Sequence, residues 1–309
     1  MALYVPTNTS SINAQRRLNA ATKSLDTTYQ HLASGLRINS ARDDAAGLQI
    51  SDRLTSQING LKQGNRNAND GIALCQTMEG ALDETTNMLQ RIRTLAIQAA
   101  NGTNTAVDRE SIQQEVAALS EEITRIACKT TFGGQKCLVP DSLGLLGSAG
   151  KIVFHVGAYT MDTISLSLTA GFTLAGICGD KVIGTAIDYS AQSLSTSTTG
   201  LATVDGIVQF SVITQDTAEY TIAAIDKIIN VVDTHRAALG ALQNRMESTI
   251  RNQEVTHENV SDARSRIRDA DYAEEAANLS AQTITQQAAT TVLTQANQRP
   301  QIALSLLGG

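Results

Sequence analysis

Between Pro6 and Pro140 the chain has no proline, and over much of that stretch its apolar residues fall on a seven-residue repeat. Leu61, Ala68, Cys75, Leu82, Leu89 and Ala96 occupy one heptad position, and Met78, Thr85, Ile92 and Ala99 its partner. Such a pattern specifies a long helix with a narrow apolar seam that packs on another helix. A helix from 61 to 99 is a rod of roughly 57 Å. Asn101-Gly102 is the turn signal that stops it.

Similar seams precede and follow it. Leu18, Leu25 and Leu32 recur every seven residues, with Ala21 and Thr28 between them. That seam runs into Ser34-Gly35, Leu36 and a polar stretch from Asn39 to Asp44, where Gly35 and Gly47 are expected breaks or bends. Ile112, Val116, Leu119, Ile123 and Ile126 predict a third helix with one apolar stripe. Ile222, Ile225, Ile229, Val232, Leu239, Met246 and Ile250 resume helical spacing late in the chain. A last segment holds Leu279, Ile284, Ala288, Val292 and Ala296 among many Ala, Gln and Thr residues, and such a helix is weak without partners.

From about 129 to 210 the pattern changes. Gly133-Gly134, Pro140, Gly144 and Gly147 punctuate it, and Ile152–Val156 and Ile164–Leu168 read as short strands. Ser190 to Gly200 is rich in Ser and Thr and reads as an exposed loop. The fold class is therefore mainly α: long antiparallel helices and a terminal coiled coil, with a small β-hairpin region inserted mid-chain. Seams at both ends, separated by more than half the chain, imply that the termini meet.

Composition excludes several functions. The 309 residues suggest about two domains. Hydrophobic residues make up 42% but aromatics only 3%, with no Trp, so the core is the thin aliphatic kind found between helices. The net charge of −6 argues against nucleic acid as a main partner. No apolar run reaches the ~18 residues of a membrane span, and the N-terminus MALYVPTNTS lacks the pattern of a secretory signal. His31, His155, His235 and His257 stand apart from one another and from any cysteine pair, so no metal site is expected. Gly133-Gly134 lacks the following Lys-Ser/Thr of a phosphate loop. Acid, base and nucleophile are nowhere arranged for catalysis, and no cofactor is expected. Cys75 lies on a heptad core position. Cys128 and Cys137 flank the Gly-Gly loop and are a candidate disulfide in an oxidising setting, although spacing fixes no connectivity.

Longer runs carry a resemblance. LASGLRINSARDDAAGLQISDR (Leu32 to Arg53), NRNANDGIALCQTMEGAL (Asn65 to Leu82) and LQRIRTLAIQAANGT (Leu89 to Thr103) closely resemble the N-terminal signature of bacterial flagellins. RAALGALQNR (Arg236 to Arg245), SRIRDADYAEEAANLS (Ser265 to Ser280) and the tail QANQRPQIALSLLGG resemble the C-terminal one. FHVGAYTMDTISLSL (Phe154 to Leu168) resembles the family's β segment. The likeness covers about 1–175 and 205–309. It leaves space for a variable insert only near 176–205, and the chain reads as a compact member with little or no outer domain.

The resemblance implies a structural subunit that self-assembles into the flagellar filament, a helical propeller, rather than an enzyme. A hook–filament junction protein is the alternative, which the internal signatures disfavour. Implied domains are a coiled coil of 1–43 with 268–309, and a rod of 44–267 that includes the β region. Leu18, Leu25, Leu32, Leu36, Ile284, Ala288 and Val292 are the expected coiled-coil assembly residues. Leu61, Cys75, Leu82, Leu89, Ile92, Ile225, Val232, Leu239 and Met246 are the expected rod core. Export unfolded through the flagellar type III apparatus, without a cleaved signal, is also implied, to an extracellular filament. Implied partners are the subunit itself, a cap protein, junction proteins, an export chaperone and, in many members, a host Toll-like receptor. Gln90, Arg91, Leu95 and Glu115 match the positions of the family's subunit-contact and receptor surface. Arg91 and Leu95 are four residues apart, so they share a face away from the seam. Members can carry O-linked sugars, for which Ser193, Ser195, Thr196 and Ser197 are candidates beside the plainer reading of a solvated loop.

Overall fold

A computed structural model describes residues 7–140, 144–147, 150–168, 171–174, 201–204 and 207–307, with the main chain alone at 201–204, 207–209 and 299–307. Five long helices dominate these residues: α1 (Thr9–Ser34), α2 (Ala45–Ala100), α3 (Ala106–Lys129), α4 (Gln215–Arg268) and α5 (Tyr272–Leu307). Three antiparallel strand pairs lie between α3 and α4 in sequence. They are β1 (Thr131–Phe132) with β2 (Gln135–Lys136), β3 (Lys151–His155) with β4 (Thr163–Ser167), and β5 (Leu201–Val204) with β6 (Ile207–Phe210).

Each helix end has a local cause. The Asn8 side chain accepts from Ser11 N at 3.1 Å and caps α1, and Gly35 ends it in the left-handed conformation at φ 71°. Gly47, expected as a bend, instead sits inside the first turns of α2, which begins well before the heptad seam at Leu61. Thr105 and Asp108 form a reciprocal capping box on α3, and the Thr105 hydroxyl and N–H hold the Asp108 carboxyl below the usual range. Thr214 and Thr217 exchange bonds of 3.0 and 3.2 Å at the start of α4. Asp271 accepts from Ala273 N at 2.8 Å and caps α5.

By its contacts the chain divides into two units, residues 1–59 with 256–309 and residues 60–255. These boundaries lie inside α2 and α4.

The second unit contains most of the core. Cys75, Leu82, Leu89 and Ile92 of α2 and Ile225, Val232, Leu239 and Met246 of α4 are fully buried, and Leu61 is nearly so. Polar ties hold the two helices antiparallel: Arg93 to Asp226 at 2.6 Å, Arg236 to Asp83 at 2.8 Å, and Gln243 to Glu79 at 2.9 Å. On α3, Ile112, Val116 and Ile123 join the same core. The Gln113 amide donates to Phe210 O at 2.8 Å and accepts from Val212 N at 2.6 Å, and so acts as one more peptide group beside β6.

The β3–β4 hairpin pairs Ile152 with Leu166 and Phe154 with Ile164. Alternation buries Ile152, Ile164 and Leu166 and leaves Val153 exposed. The main chain beyond β3 lies close against α2. A Cβ at Gly64 would collide with the Val156 carbonyl, and one at Gly60 with Ala158. Asn67 donates to His155 O at 2.8 Å, and Gln253 of α4 donates to Val156 O. Gly133 and Gly134, at φ 59° and 83°, make the tight β1–β2 turn that only such residues form without strain.

Candidate assembly surfaces

In the first unit α1 and α5 run antiparallel. On α1, Ala14, Leu25 and Thr28 are buried and Leu18, Ala21 and Leu32 half-buried. On α5 the sheltered positions are Glu275, Leu279, Gln282, Thr283, Gln286, Ala289, Leu293 and Ala296, which apart from Thr283 alternate spacings of four and three. Side-chain pairs fix this register. His31 Nδ1 meets Glu275 Oε1 at 2.8 Å, Thr28 donates to Gln282 at 3.1 Å, and Asn8 donates to Ala296 O at 2.7 Å. Leu36 forms a main-chain bridge with Asp269 at the end of the pair.

The expected residues of the last helix are not on this seam. Ile284 is 67% exposed and Val292 55%, and Ala288 is exposed with them. The cause is phase. Ile284, Ala288 and Val292 follow a spacing of four, which drifts off a seam of period 3.5. The seam itself uses Gln282 and Gln286, which apolar counting passes over. A groove of about 420 Å³ between the helices is floored by Ala14, Ala21 and Ala289 and walled by Arg17, Ser24 and Val292. Ile12, Tyr29 and Tyr272 are further exposed apolar side chains of this unit.

In the second unit Arg91 of α2 reaches Glu115 of α3 with Nε at 2.9 Å and Nη2 at 2.7 Å, both on Oε1. Both side chains remain about half exposed, and Gln90 beside them is exposed. Leu95 does not join that face. It is 3% exposed and part of the core, while Arg91 four residues before it stays about half exposed. The exposed leucine inferred from a four-residue spacing is thus a core residue. Ile97, which no sequence pattern singles out, is 49% exposed instead.

The three described cysteines, Cys75, Cys128 and Cys137, are free thiols, so the candidate Cys128–Cys137 disulfide is not formed. Cys137 is buried in the core with Sγ 3.5 Å from Thr130 O, while Cys128 is half-exposed on α3. Burial, with Glu79 nearby, pushes the Cys75 thiol up to about 11. Ser193, Ser195, Thr196 and Ser197 lie outside the described residues. Among the described residues no group of His, Cys, Asp and Glu is placed to hold a metal ion, and no helix is long and apolar enough to cross a membrane. An open cleft of about 640 Å³ between the β3–β4 loop and α4 is lined by Met161, Asp162, Arg245, Ser248 and Asn252, a mixed polar wall.

A well-packed helical unit joined to a nearly coreless pair of terminal helices, with apolar side chains left outward, defines a structural subunit that self-assembles. Residues 5–140 match the bacterial flagellin N-terminal helical region, and residues 222–307 the bacterial flagellin C-terminal helical region. The chain belongs to the bacterial flagellin family. It is 36% identical to polar flagellin F of Vibrio parahaemolyticus and 39% identical to flagellin B of Vibrio cholerae, in each case over 100% of both chains. These alignments run over 385 and 376 positions, more than this chain has residues, so both relatives carry residues that it lacks. A putative flagellar hook-associated protein from Vibrio parahaemolyticus shares the fold, with TM-score 0.53 at 15% identity over 74% of this chain and 100% of that one. The chain is a structural subunit of the flagellar filament, an extracellular polymer.

Proposed function

We propose that residues 1–43 and 268–309 act as a coiled-coil assembly domain and residues 44–267 as a helical rod domain, and that the outer face of the terminal pair supplies the contacts of the polymer. The observation that carries this reading is the exposure of Ile284 and Val292 on a helix pair with almost no core of its own. Apolar side chains left in water on a marginal helix favour burial against a neighbouring copy. Head-to-tail contacts that do not close a ring then extend as a helical polymer.

Gln90, Arg91 and Glu115 form a second, polar contact face, and by family likeness the same face suits a host Toll-like receptor. Family likeness also supports a filament cap, junction proteins and an export chaperone as partners, delivery unfolded through the type III apparatus, and O-linked sugars on Ser193, Ser195, Thr196 and Ser197.

The test is the double variant Ile284→Glu with Val292→Glu, seeded with filament fragments and viewed by electron microscopy. Long filaments are lost while the melting of the soluble subunit is unchanged. Filaments of normal length would overturn the assignment of this face.

A further inference from the structure

The sequence contains two Asn-Gly dipeptides, Asn59-Gly60 and Asn101-Gly102. Asn-Gly is the pair most prone to spontaneous deamidation, because glycine offers the attacking nitrogen no side-chain hindrance. The fold places the two in opposite settings. Asn59-Gly60 lies inside α2, where helical hydrogen bonding engages the glycine N–H and holds it away from the asparagine side chain. Asn101-Gly102 lies in the exposed turn between α2 and α3. A third candidate, Asn39-Ser40, is exposed but locked. The Asn39 amide donates to Gln30 O, Ser34 Oγ and Leu36 O, and Ser40 N donates to Asp43 Oδ2 at 2.9 Å.

We propose that Asn101 is a site of spontaneous deamidation that marks the age of each subunit. The Gly102 nitrogen loses its proton to hydroxide and attacks Asn101 Cγ. A C–N bond forms, the Cγ–Nδ2 bond breaks, and ammonia leaves. Water then opens the succinimide at either carbonyl, giving aspartate or isoaspartate. The surroundings leave the reaction room: nothing lies within 4 Å of a Cβ built on Gly102. Among the described residues the Asn101 side chain accepts one hydrogen bond, a long one from Thr103 N at 3.4 Å.

The product changes the turn. Arg109 clamps it by donating through Nε to Ala99 O at 2.8 Å and through Nη2 to Asn101 O at 3.1 Å. Isoaspartate routes the main chain through Cβ and so shifts the carbonyls that this clamp uses. Either product places a new carboxylate at the C-terminal end of α2, where the helix dipole disfavours negative charge. The aged subunit carries one more negative charge than the −6 of the fresh chain.

The experiment is incubation of the full-length soluble protein at mildly alkaline pH, followed by ion exchange and peptide mapping by mass spectrometry. Asn101 converts to a mixture of aspartate and isoaspartate, while Asn59 and Asn39 remain amides. The urea-unfolded chain converts Asn59 as well. Gly102→Ala, which meets no neighbour, slows the Asn101 reaction several-fold and leaves the melting temperature unchanged. The proposal fails if Asn101 stays intact while the unfolded chain reacts, if folded Asn59 reacts as fast as Asn101, or if Gly102→Ala has no effect on the rate.

Discussion

His31 of α1 and Glu275 of α5 meet at 2.8 Å across the terminal helix pair, both side chains about 15% exposed. Thr28–Gln282 follows one turn along α1 and two along α5, so polar contacts help to key the pair. Such pairs choose one register among those a weak apolar seam would accept.

The first prediction is that Glu275→Ala lowers the stability of the terminal pair by about 1.5–3 kcal/mol, the worth of a hydrogen bond to a charged group. His31→Ala together with Glu275→Ala should cost little more than either alone, since both remove one contact. Urea-induced dissociation of filaments, followed by light scattering, measures it.

A second concerns the close approach of the β3–β4 loop to α2. Gly64→Ala sets a methyl group against the Val156 carbonyl, a main-chain atom that cannot step aside, and should destabilise the subunit by about 1–3 kcal/mol. Gly80→Ala, on the same helix with nothing within 4 Å, should be stabilising by about 0.5–1 kcal/mol. Thermal melts of the two variants beside the parent give the comparison.

The third rests on Cys75, fully buried on the seam of α2. With its pKa pushed up to about 11, the thiol is protonated and unreactive at neutral pH. Half-exposed Cys128 should therefore alkylate first in the native protein. Cys75→Ala should cost roughly 1 kcal/mol for the small cavity, and Cys75→Ser more, since a hydroxyl costs more than a thiol to take out of water onto an apolar seam.

The fourth is a pH dependence. His235 of α4 packs edge-on against Phe172, ring centroids 5.0 Å apart, and burial holds its pKa below the ordinary 6.5. The unfolded chain therefore binds a proton that the folded one refuses between these two values. Stability is full above pH 6.5 and falls as the pH drops towards the folded value. Urea titrations at pH 5.5 and 7.5 should show His235→Phe losing less stability on acidification than the parent.

How much was legible in the sequence follows from what each residue rests on. Leu82, Leu89 and Ile92 could be read because a buried helix seam writes itself as apolar spacing. Ile284 and Val292 lie off the seam because α5 mixes Glu275, Gln282 and Gln286 with Leu279, Ala289 and Leu293 there, and hydropathy does not see the polar members of such a seam. Leu95 was misplaced because α2 packs on two sides, whereas a heptad describes one. Strand β3 stands out as a short apolar run and β4 by alternation, yet the glycines that let the loop after β3 lie on α2 look in sequence like ordinary helix-weakening residues. The fate of Cys128 and Cys137 depends on α3 leaving the first half-exposed while the second, after β2, is buried in the core, which spacing does not encode.

The contact between Asn8 and Ala296 joins residues 288 positions apart in the chain. A polypeptide delivered end first, from whichever end, therefore leaves one terminal helix waiting until nearly the last residue has arrived. A prematurely ended chain has α1 without α5 and can never form the pair. On the reading that the terminal pair joins the polymer, the arrangement is a length check: a chain that ends before α5 lacks the surface for assembly.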